Sequence, residues 1–137
     1  MIAGGIDVLQ LRAKGYTASE IEAWGRNLLS ICRESGVPLF INDYPEVAAD
    51  IGADGVHVGQ DDADMDTVRQ IVGPEMLVGR STHSVEQATE AAADPRTDCI
   101  GFGPLFSTPT KPEYDPIGTA EIQKVHESFP DLPIFCI

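Results

Sequence analysis

Apolar residues along the 137-residue chain fall into two alternating patterns. Short runs rich in Val, Ile, Leu and Phe predict buried β-strands, and segments with apolar residues three and four positions apart predict amphipathic helices. The strand-like runs cover residues 7–13, 38–43, 54–60, 76–81, 99–105 and 132–137. The helical segments lie between them, at residues 17–35, 45–52, 65–73, 84–92 and 119–129.

The helix predicted at residues 17–35 carries start and stop signals in its sequence. Thr17 and Glu20 have the spacing of a capping box, in which each side chain binds the other residue's backbone N–H. Gly36 follows the last residue of the pattern, where a left-handed backbone commonly ends a helix. Ser84 and Gln87 repeat the capping spacing and predict the start of a second helix.

Strands and helices that alternate this regularly predict right-handed βαβ units and a parallel sheet. No G-x-G-x-x-G opens a helix, which weakens the case for a dinucleotide-binding open sheet. A complete (β/α)₈ barrel usually takes about 250 residues. We therefore expect a single α/β domain over residues 1–137, of the (β/α)₈ TIM-barrel type but incomplete, with about six of eight strands present and truncated at both ends.

Charge and composition narrow the classes of partner. Acidic residues outnumber basic ones 22 to 9, for a formal net charge of −13. The summed field repels nucleic acid and anionic membrane surfaces, so small molecules are the expected partners. No apolar run is long enough to span a bilayer, and no secretory signal precedes the first strand. A cytoplasmic protein is expected, whose oligomeric state the sequence does not reveal.

Polar side chains with ligand-binding chemistry follow five successive predicted strands. In parallel α/β folds the carboxyl ends of the strands meet at one edge, where ligands bind. The groups found there are Arg12 and Lys14; Asn42 and Asp43; Gln60, Asp61 and Asp62; Arg80, Ser81 and His83; and Ser107, Thr108, Thr110 and Lys111. Taken singly, each set also fits a turn or a helix cap. Those local explanations do not predict that all five sets share one edge.

Two kinds of charge occur among these residues. Asp43 and Asp62 are able to share one Mg²⁺ ion, which typically takes one or two protein carboxylates and completes its shell with water and phosphate oxygens. Arg12, Lys14 and Lys111 are cations suited to phosphate. The combination fits a diphosphate ester bound with Mg²⁺.

Five blocks of sequence resemble the thiamine-phosphate synthase family in order and spacing. They are "QLRAK", "FIND", "GADGVHVGQDD", "GRSTHS" and "GFGPLFSTPTKP". The resemblance implies a (β/α)₈ barrel and a Mg²⁺-dependent transferase of thiamine biosynthesis. The reaction it implies joins a hydroxymethylpyrimidine diphosphate to a thiazole phosphate or its carboxylated form. The products are thiamine phosphate and diphosphate, with CO₂ from the carboxylated thiazole.

The resemblance also implies roles for individual residues. Gln10, Arg12, Lys14 and Asn42 match contacts to the pyrimidine diphosphate, and Asp43 and Asp62 match the Mg²⁺ ligands. Ser81 matches a hydroxyl near the pyrimidine. Thr108, Pro109 and Thr110 match the loop that binds the thiazole phosphate, and Lys111 matches a lysine that reaches the diphosphate. Arg12, Lys14, Ser81 and Lys111 are the residues expected to be catalytic.

Two other functions remain open. A related thiazole tautomerase works with a histidine after the corresponding "GRS" strand, and His83 occupies that place. That relative lacks the Asn-Asp pair and the second magnesium carboxylate, so Asp43 and Asp62 favour the synthase. The other alternative is a truncated barrel that binds phosphate ligands without catalysis. Members of the family have a strand and a helix before "QLRAK" and a glycine-rich continuation after "PIFCI", and this sequence contains neither.

Overall fold

The computed structural model describes residues 2–108 and 115–137. The chain divides into two compact units. The first is formed by the chain up to Val58 together with Asp62–Leu77, and the second by Gly59–Asp61 together with the chain from Val78 onward. The sequence-based expectation of one domain over residues 1–137 stays a prediction, and the two units are described separately.

The first unit contains three parallel strands, β1 to β3, and the helices that follow them. After a short 3-10 helix at Ile2–Gly4 its elements are β1 (Leu9–Leu11), α1 (Ala18–Ser35), β2 (Leu39–Asn42), α2 (Pro45–Ile51), β3 (Gly55–Val58) and α3 (Met65–Val72). Leu9 pairs with Leu39 and Phe40 pairs with Gly55, both in parallel register. The carboxyl ends of these strands therefore point the same way.

The second unit repeats the arrangement. Its elements are β4 (Leu77–Thr82, whose first residue belongs to the first unit), α4 (Val85–Ala93), β5 (Cys99–Phe102), α5 (Ala120–Ser128) and β6 (Ile134–Cys136). Gly79 pairs with Cys99 and Ile100 pairs with Ile134, again in parallel register. The strand–helix alternation predicted from the sequence is confirmed, and the observed strands are shorter mainly because the apolar runs included flanking turn residues.

The helix caps agree with the sequence in two cases and differ in one. Thr17 and Glu20 form the full capping box of α1, and Gly36 ends that helix with φ 67°. At α4 the Ser84 hydroxyl accepts from the Gln87 N–H at 3.2 Å, as expected. The Gln87 side chain, however, accepts from the N–H of His83 at 2.8 Å, one residue earlier than a capping box requires.

Each unit has its own apolar core. In the first, β2 and β3 are buried on both faces, and α1 packs with Ile21, Leu29 and Cys32 inward. Gly25 allows this close approach, because a Cβ there would lie 2.7 Å from Cδ1 of Ile51. In the second unit the buried cluster consists of Ala88, Ala91, Ile100, Phe102, Leu105 and Val125.

A carboxylate binds the start of one strand in each unit. The Leu39 N–H at the start of β2 donates to Oδ2 of Asp54 at 2.8 Å, and the Val78 N–H near the start of β4 donates to Oδ2 of Asp98 at 2.8 Å. Each aspartate precedes the neighbouring strand and also donates its own N–H back, to Leu39 and Val78 respectively. These paired bonds fix the strand register, so the polar residues at the opposite ends are held on a rigid support.

The cysteines differ in their surroundings. Cys32 and Cys99 are buried and Cys136 is exposed. Burial, together with the nearby Asp98 carboxylate, raises the pKa of the Cys99 thiol to about 11. A thiol with so high a pKa is a poor nucleophile at neutral pH, so Cys99 serves as a packing residue. Among residues 2–108 and 115–137, no helix is long and apolar enough to cross a membrane.

Candidate functional site

The end of β2 presents the first group of candidate residues. Asn42, the last residue of the strand, is buried with 9% of its surface exposed. Asp43 follows with φ 65°, and its N–H donates to the His57 carbonyl of β3 at 2.9 Å. Aspartate is among the few residues that tolerate this left-handed backbone. The turn projects the Asp43 side chain beyond the edge of the strand while β3 holds its backbone.

Lys14 lies directly against Asp43. Its Nζ is 2.7 Å from Oδ2 of the aspartate, across 29 residues of sequence. The lysine side chain is 61% exposed and that of Asp43 is 17% exposed, so the pair lies at the surface with its anionic partner facing inward. Two residues that the sequence assigned to different roles, a phosphate contact and a metal ligand, therefore neutralise each other in this state.

Asp62 completes the group in the first unit. Its side chain is in hydrogen-bond contact with that of Asp43, although Asp62 itself is exposed. Burial raises the pKa of the Asp43 carboxyl, but hydrogen bonds with Lys14, Asp62 and Asn42 and the charge of the Lys14 ammonium outweigh it. The net pKa of Asp43 lies below its ordinary value of 3.8. Asp43 is therefore an anion at neutral pH.

This arrangement fits a hard divalent cation. Two carboxylates in contact repel each other unless a proton or a cation lies between them. The amide N–H of Asn42 donates to the Asp43 carboxylate and orients it, and carboxylate oxygens are ligands that Mg²⁺ prefers. No cluster of three or more His, Cys, Asp or Glu side chains suited to a metal occurs within the described parts of the chain. That Asp43 and Asp62 bind a metal ion stays a prediction from the sequence.

The other predicted residues of the first unit lie along β1 and just beyond it. Gln10 is the middle residue of β1, opposite Phe40 of β2, and its side chain is exposed. Arg12 follows the strand directly and is also exposed. Arg12 and Lys14 thus flank Ala13 in the segment that leads to α1, at the carboxyl end of its strand.

The second unit holds the remaining described candidates. Ser81 lies in β4 and is half-buried, and its carbonyl accepts a hydrogen bond from Nε2 of Gln60. Thr108 is half-buried and follows β5. Pro109, Thr110 and Lys111, the rest of the predicted phosphate loop, lie outside the described residues. That all five strand ends share one rim stays a prediction.

The imidazole ring of His83 is fixed by a contact with the backbone of Gly103. The residue is half-buried, and its Nδ1 lies 2.6 Å from the carbonyl oxygen of Gly103. Because a carbonyl only accepts, Nδ1 carries the proton in this contact, which leaves Nε2 as the basic nitrogen of the neutral ring.

A contact that the sequence did not indicate joins Tyr44 to the segment before α1. The Tyr44 hydroxyl donates to the carbonyl of Tyr16 at 3.2 Å, between residues 28 positions apart. A tyrosine that follows "FIND" at the start of a helix carries no sequence signal for this contact. Only the fold brings it to the segment that carries Arg12 and Lys14.

A cavity of about 440 Å³ lies along α5 and β6 in the second unit. Its walls are formed by Ile122, His126, Pro130, Asp131, Leu132, Pro133, Ile134 and Cys136. Among the residues that the structure describes, none of the site residues expected from the sequence is part of these walls.

Comparisons with known proteins agree on one family. The family model described as thiamine monophosphate synthase matches residues 1–137. A thiamine-phosphate synthase of Thermus thermophilus is 41% identical over 136 residues, covering 99% of this chain and 65% of the relative. One from Roseiflexus castenholzii is 44% identical over 137 residues, covering 99% of this chain and 59% of the relative.

Comparison with a solved structure supports the assignment of the fold. The thiamine phosphate pyrophosphorylase of Pyrococcus furiosus superposes with a TM-score of 0.88 at 29% identity, covering 99% of this chain and 64% of that one. This likeness confirms the α/β fold of the TIM-barrel type, with six of its strands present. The chain spans about three fifths to two thirds of the length of these relatives.

Proposed function

The chain belongs to the thiamine monophosphate synthase family, and from that premise we propose that it performs the pyrimidine half of thiamine phosphate synthesis. In this proposal it binds 4-amino-2-methyl-5-(diphosphooxymethyl)pyrimidine with Mg²⁺ and promotes the departure of diphosphate. The acceptor is a thiazole ethyl phosphate or its carboxylated form. The protein is accordingly a transferase with small-molecule substrates, and a cytoplasmic location remains a prediction from the sequence.

One observation carries the proposal: the contact of Asp43 with both Asp62 and Lys14. A structural ion pair requires one carboxylate and one cation. A second carboxyl in hydrogen-bond contact with the first requires a proton between the two groups, and a divalent cation is able to take the place of that proton. Lys14 beside the two carboxylates supplies a cation for phosphate oxygens at the same place.

Two groups of residues are proposed to assist the departure of diphosphate, one by binding the metal ion and the other by binding diphosphate oxygens. Asp43 and Asp62 are proposed to hold Mg²⁺, with the Asn42 amide orienting Asp43. When bound, the metal ion would neutralise negative charge on the departing diphosphate. Arg12 and Lys14 bind diphosphate oxygens and stabilise the same charge from the protein side.

Lys14 is proposed to exchange its partner when diphosphate binds. Its ammonium group pairs with Asp43 in this structure, and a diphosphate oxygen would take the place of the aspartate. The exchange costs little, because Lys14 is 61% exposed and surface ion pairs contribute roughly 0–1 kcal/mol. The pair thus keeps Asp43 neutralised until the metal and the diphosphate arrive together.

The other residues that match the family motif are proposed to bind the remaining parts of the two substrates. Ser81 supplies a hydroxyl to the pyrimidine. Thr108 and Thr110 bind the thiazole phosphate through backbone N–H and hydroxyl donors, and Pro109, which has no donor, stands between them in the loop sequence. Gln10 and Asn42 contact the pyrimidine diphosphate, and Lys111 reaches its phosphates. These roles rest on the family motif in this sequence.

The test is formation of thiamine phosphate from the two substrates with and without Mg²⁺. The proposal predicts product that requires Mg²⁺ and is lost in Asp43→Asn. Binding of the pyrimidine diphosphate without product would favour the alternative of a non-catalytic phosphate-binding barrel. Rapid synthesis in the presence of a chelator would contradict the assignment of Asp43 and Asp62.

The contact of His83 with Gly103 favours a second candidate, the thiazole tautomerase. With Nδ1 committed to the Gly103 carbonyl at 2.6 Å, Nε2 is set up to accept a proton. That activity needs neither Mg²⁺ nor a diphosphate, so it leaves the Asp43–Asp62 pair without a role. Conversion of the thiazole carboxylate by the wild-type chain, lost in His83→Gln and unaffected by chelator, would establish it.

A further inference from the structure

Tyr44 links the carboxyl-terminal end of β2 to the segment between β1 and α1. Its hydroxyl donates to the Tyr16 carbonyl at 3.2 Å, and Asp43, the residue before it, binds Lys14 at 2.7 Å. We propose that Tyr44 is a positioning residue that holds this segment, and with it Arg12 and Lys14, in place for a diphosphate. The inference rests on the proposed function, because it concerns the diphosphate-binding residues of that site.

The segment has fixed ends and few restraints between them. At one end β1 pairs with β2, and at the other Thr17 and Glu20 close the capping box of α1. Gly15 between them has φ 85°, a conformation that glycine adopts readily, and its position has open space around it. Contacts from β2's end therefore decide where the middle of the segment lies.

Two such contacts come from consecutive residues, Asp43 to Lys14 and Tyr44 to Tyr16. The first is given up whenever Lys14 turns from Asp43 to a phosphate oxygen. The second uses a backbone carbonyl and a neutral hydroxyl, and it is independent of the charge exchanged at Lys14. Tyr44 thus restrains the segment at the moment when the ion pair no longer does.

The chain contains its own reporter of this segment. The Tyr16 ring packs edge-on against the Trp24 ring, with 4.8 Å between centroids and 73° between planes. Trp24 is the single tryptophan of the chain. A displacement of Tyr16 therefore changes the fluorescence of Trp24 and its accessibility to a quencher.

The experiment compares wild-type chain with Tyr44→Phe, which removes only the hydroxyl. Affinity for inorganic pyrophosphate is measured by calorimetry in saturating Mg²⁺, and Mg²⁺ affinity is measured alone. Loss of one such hydrogen bond predicts pyrophosphate binding weaker by about three- to tenfold. Mg²⁺ affinity without pyrophosphate stays at the wild-type level, because Asp43 and Asp62 are intact. Acrylamide quenching of Trp24 rises in the ligand-free variant.

Tyr16→Phe is the matched control. It also loses one tyrosine hydroxyl, but it keeps the ring against Trp24 and the backbone carbonyl that Tyr44 uses. Its pyrophosphate affinity and Trp24 quenching are expected to equal those of the wild type. Circular dichroism and thermal unfolding of both variants establish that the fold is unchanged.

The outcomes separate this inference from the proposed function. If wild-type chain binds no pyrophosphate in Mg²⁺, the proposed function is contradicted and the role of Tyr44 in diphosphate binding falls with it. If wild-type chain binds and Tyr44→Phe binds equally well, the inference alone is overturned, whether or not Trp24 becomes more accessible. Weaker binding with increased quenching, absent from Tyr16→Phe, supports it.

Discussion

The Nζ atom of Lys14 lies 2.7 Å from Oδ2 of Asp43, so the carboxylate expected to bind a metal ion is already neutralised by a lysine expected to bind diphosphate. In the state described here, the two groups satisfy each other. In the proposed function, binding of either ligand alone would break this pair and leave one charge without its partner. Binding of both ligands would give each of the two charges a new partner, so metal and diphosphate are expected to bind cooperatively.

Replacement of Lys14 by Met tests this exchange. Without the ammonium group, Mg²⁺ no longer has to displace Lys14 from Asp43. Affinity for Mg²⁺ alone is therefore expected to rise about two- to fivefold, which corresponds to the free energy of an exposed ion pair. Affinity for pyrophosphate in saturating Mg²⁺ is expected to fall about tenfold or more, because a charge-assisted contact is lost. Both are measured by calorimetry.

Lys124→Met is the control for that change. Lys124 is 64% exposed and pairs with Glu121 at 2.8 Å, so it matches Lys14 in exposure and removes the same charge. Neither affinity should change in this variant. Weaker Mg²⁺ binding in Lys14→Met would show that the lysine does not compete with the metal.

The left-handed backbone at Asp43 makes the choice of substitution important. Asparagine tolerates φ 65°, whereas alanine is strained there by about 1 kcal/mol. Asp43→Asn and Asp43→Ala are both expected to abolish magnesium-dependent turnover. Only the alanine variant should lose the additional free energy of unfolding, measured by denaturant titration. Equal stability of the two variants would contradict the strain argument.

Asp62 and its neighbour Asp61 offer a matched pair of substitutions. Both carboxylates are exposed, and Asp62 is the one in contact with Asp43. Asp62→Asn is expected to weaken Mg²⁺ binding about tenfold or more, while Asp61→Asn has little effect although it removes the same charge. Calorimetric titration of the two variants with Mg²⁺ measures the difference. Equal losses would mean that general negative charge, and not a specific ligand, attracts the metal.

Acid sensitivity follows from the lowered pKa of Asp43. A carboxyl whose pKa is lower in the folded than in the unfolded state contributes stability above its ordinary value, here 3.8. That contribution is lost as pH falls through the folded-state pKa. Asp43→Asn is therefore expected to lose less stability than wild type when pH drops from about 5 to about 2, as followed by thermal unfolding. A steeper loss in the variant would reverse the sign of this argument.

The threonines of the predicted phosphate loop provide a test of substrate assignment. Thr108→Val and Thr110→Val each replace a hydroxyl with a methyl group of similar size. Each is expected to weaken thiazole phosphate binding about three- to tenfold and to leave pyrimidine diphosphate binding nearly unchanged. Titration of each variant with the two substrates separately measures this. Equal weakening of both would count against the loop's role.

Local patterns in the sequence were sufficient to predict the elements of the fold. Apolar runs and caps such as Thr17 and Gly36 depend on neighbours within a few residues, and the structure agrees with them. The capping box at Ser84 failed in part because Gln87 reaches the His83 N–H instead, a choice between two adjacent donors that spacing does not distinguish.

The candidate site was predictable in its residue types and less so in its contacts. Asp43 and Asp62 were expected together because parallel strands bring their carboxyl ends to one edge. The Lys14–Asp43 pair was not expected, because the family motif implied a different ligand for each residue, diphosphate for Lys14 and a metal ion for Asp43. The Tyr44–Tyr16 bond depends on the path of the segment before α1, which contains a glycine and has no periodic pattern.

The most direct measurement is titration of wild-type chain, Asp43→Asn and Asp62→Asn with the pyrimidine diphosphate, in the presence of Mg²⁺ and after its removal with a chelator. The account predicts that Mg²⁺ strengthens binding to the wild-type chain at least tenfold and that either substitution removes most of this gain. Affinity that is the same with and without Mg²⁺, or a full gain retained in Asp43→Asn, would contradict it.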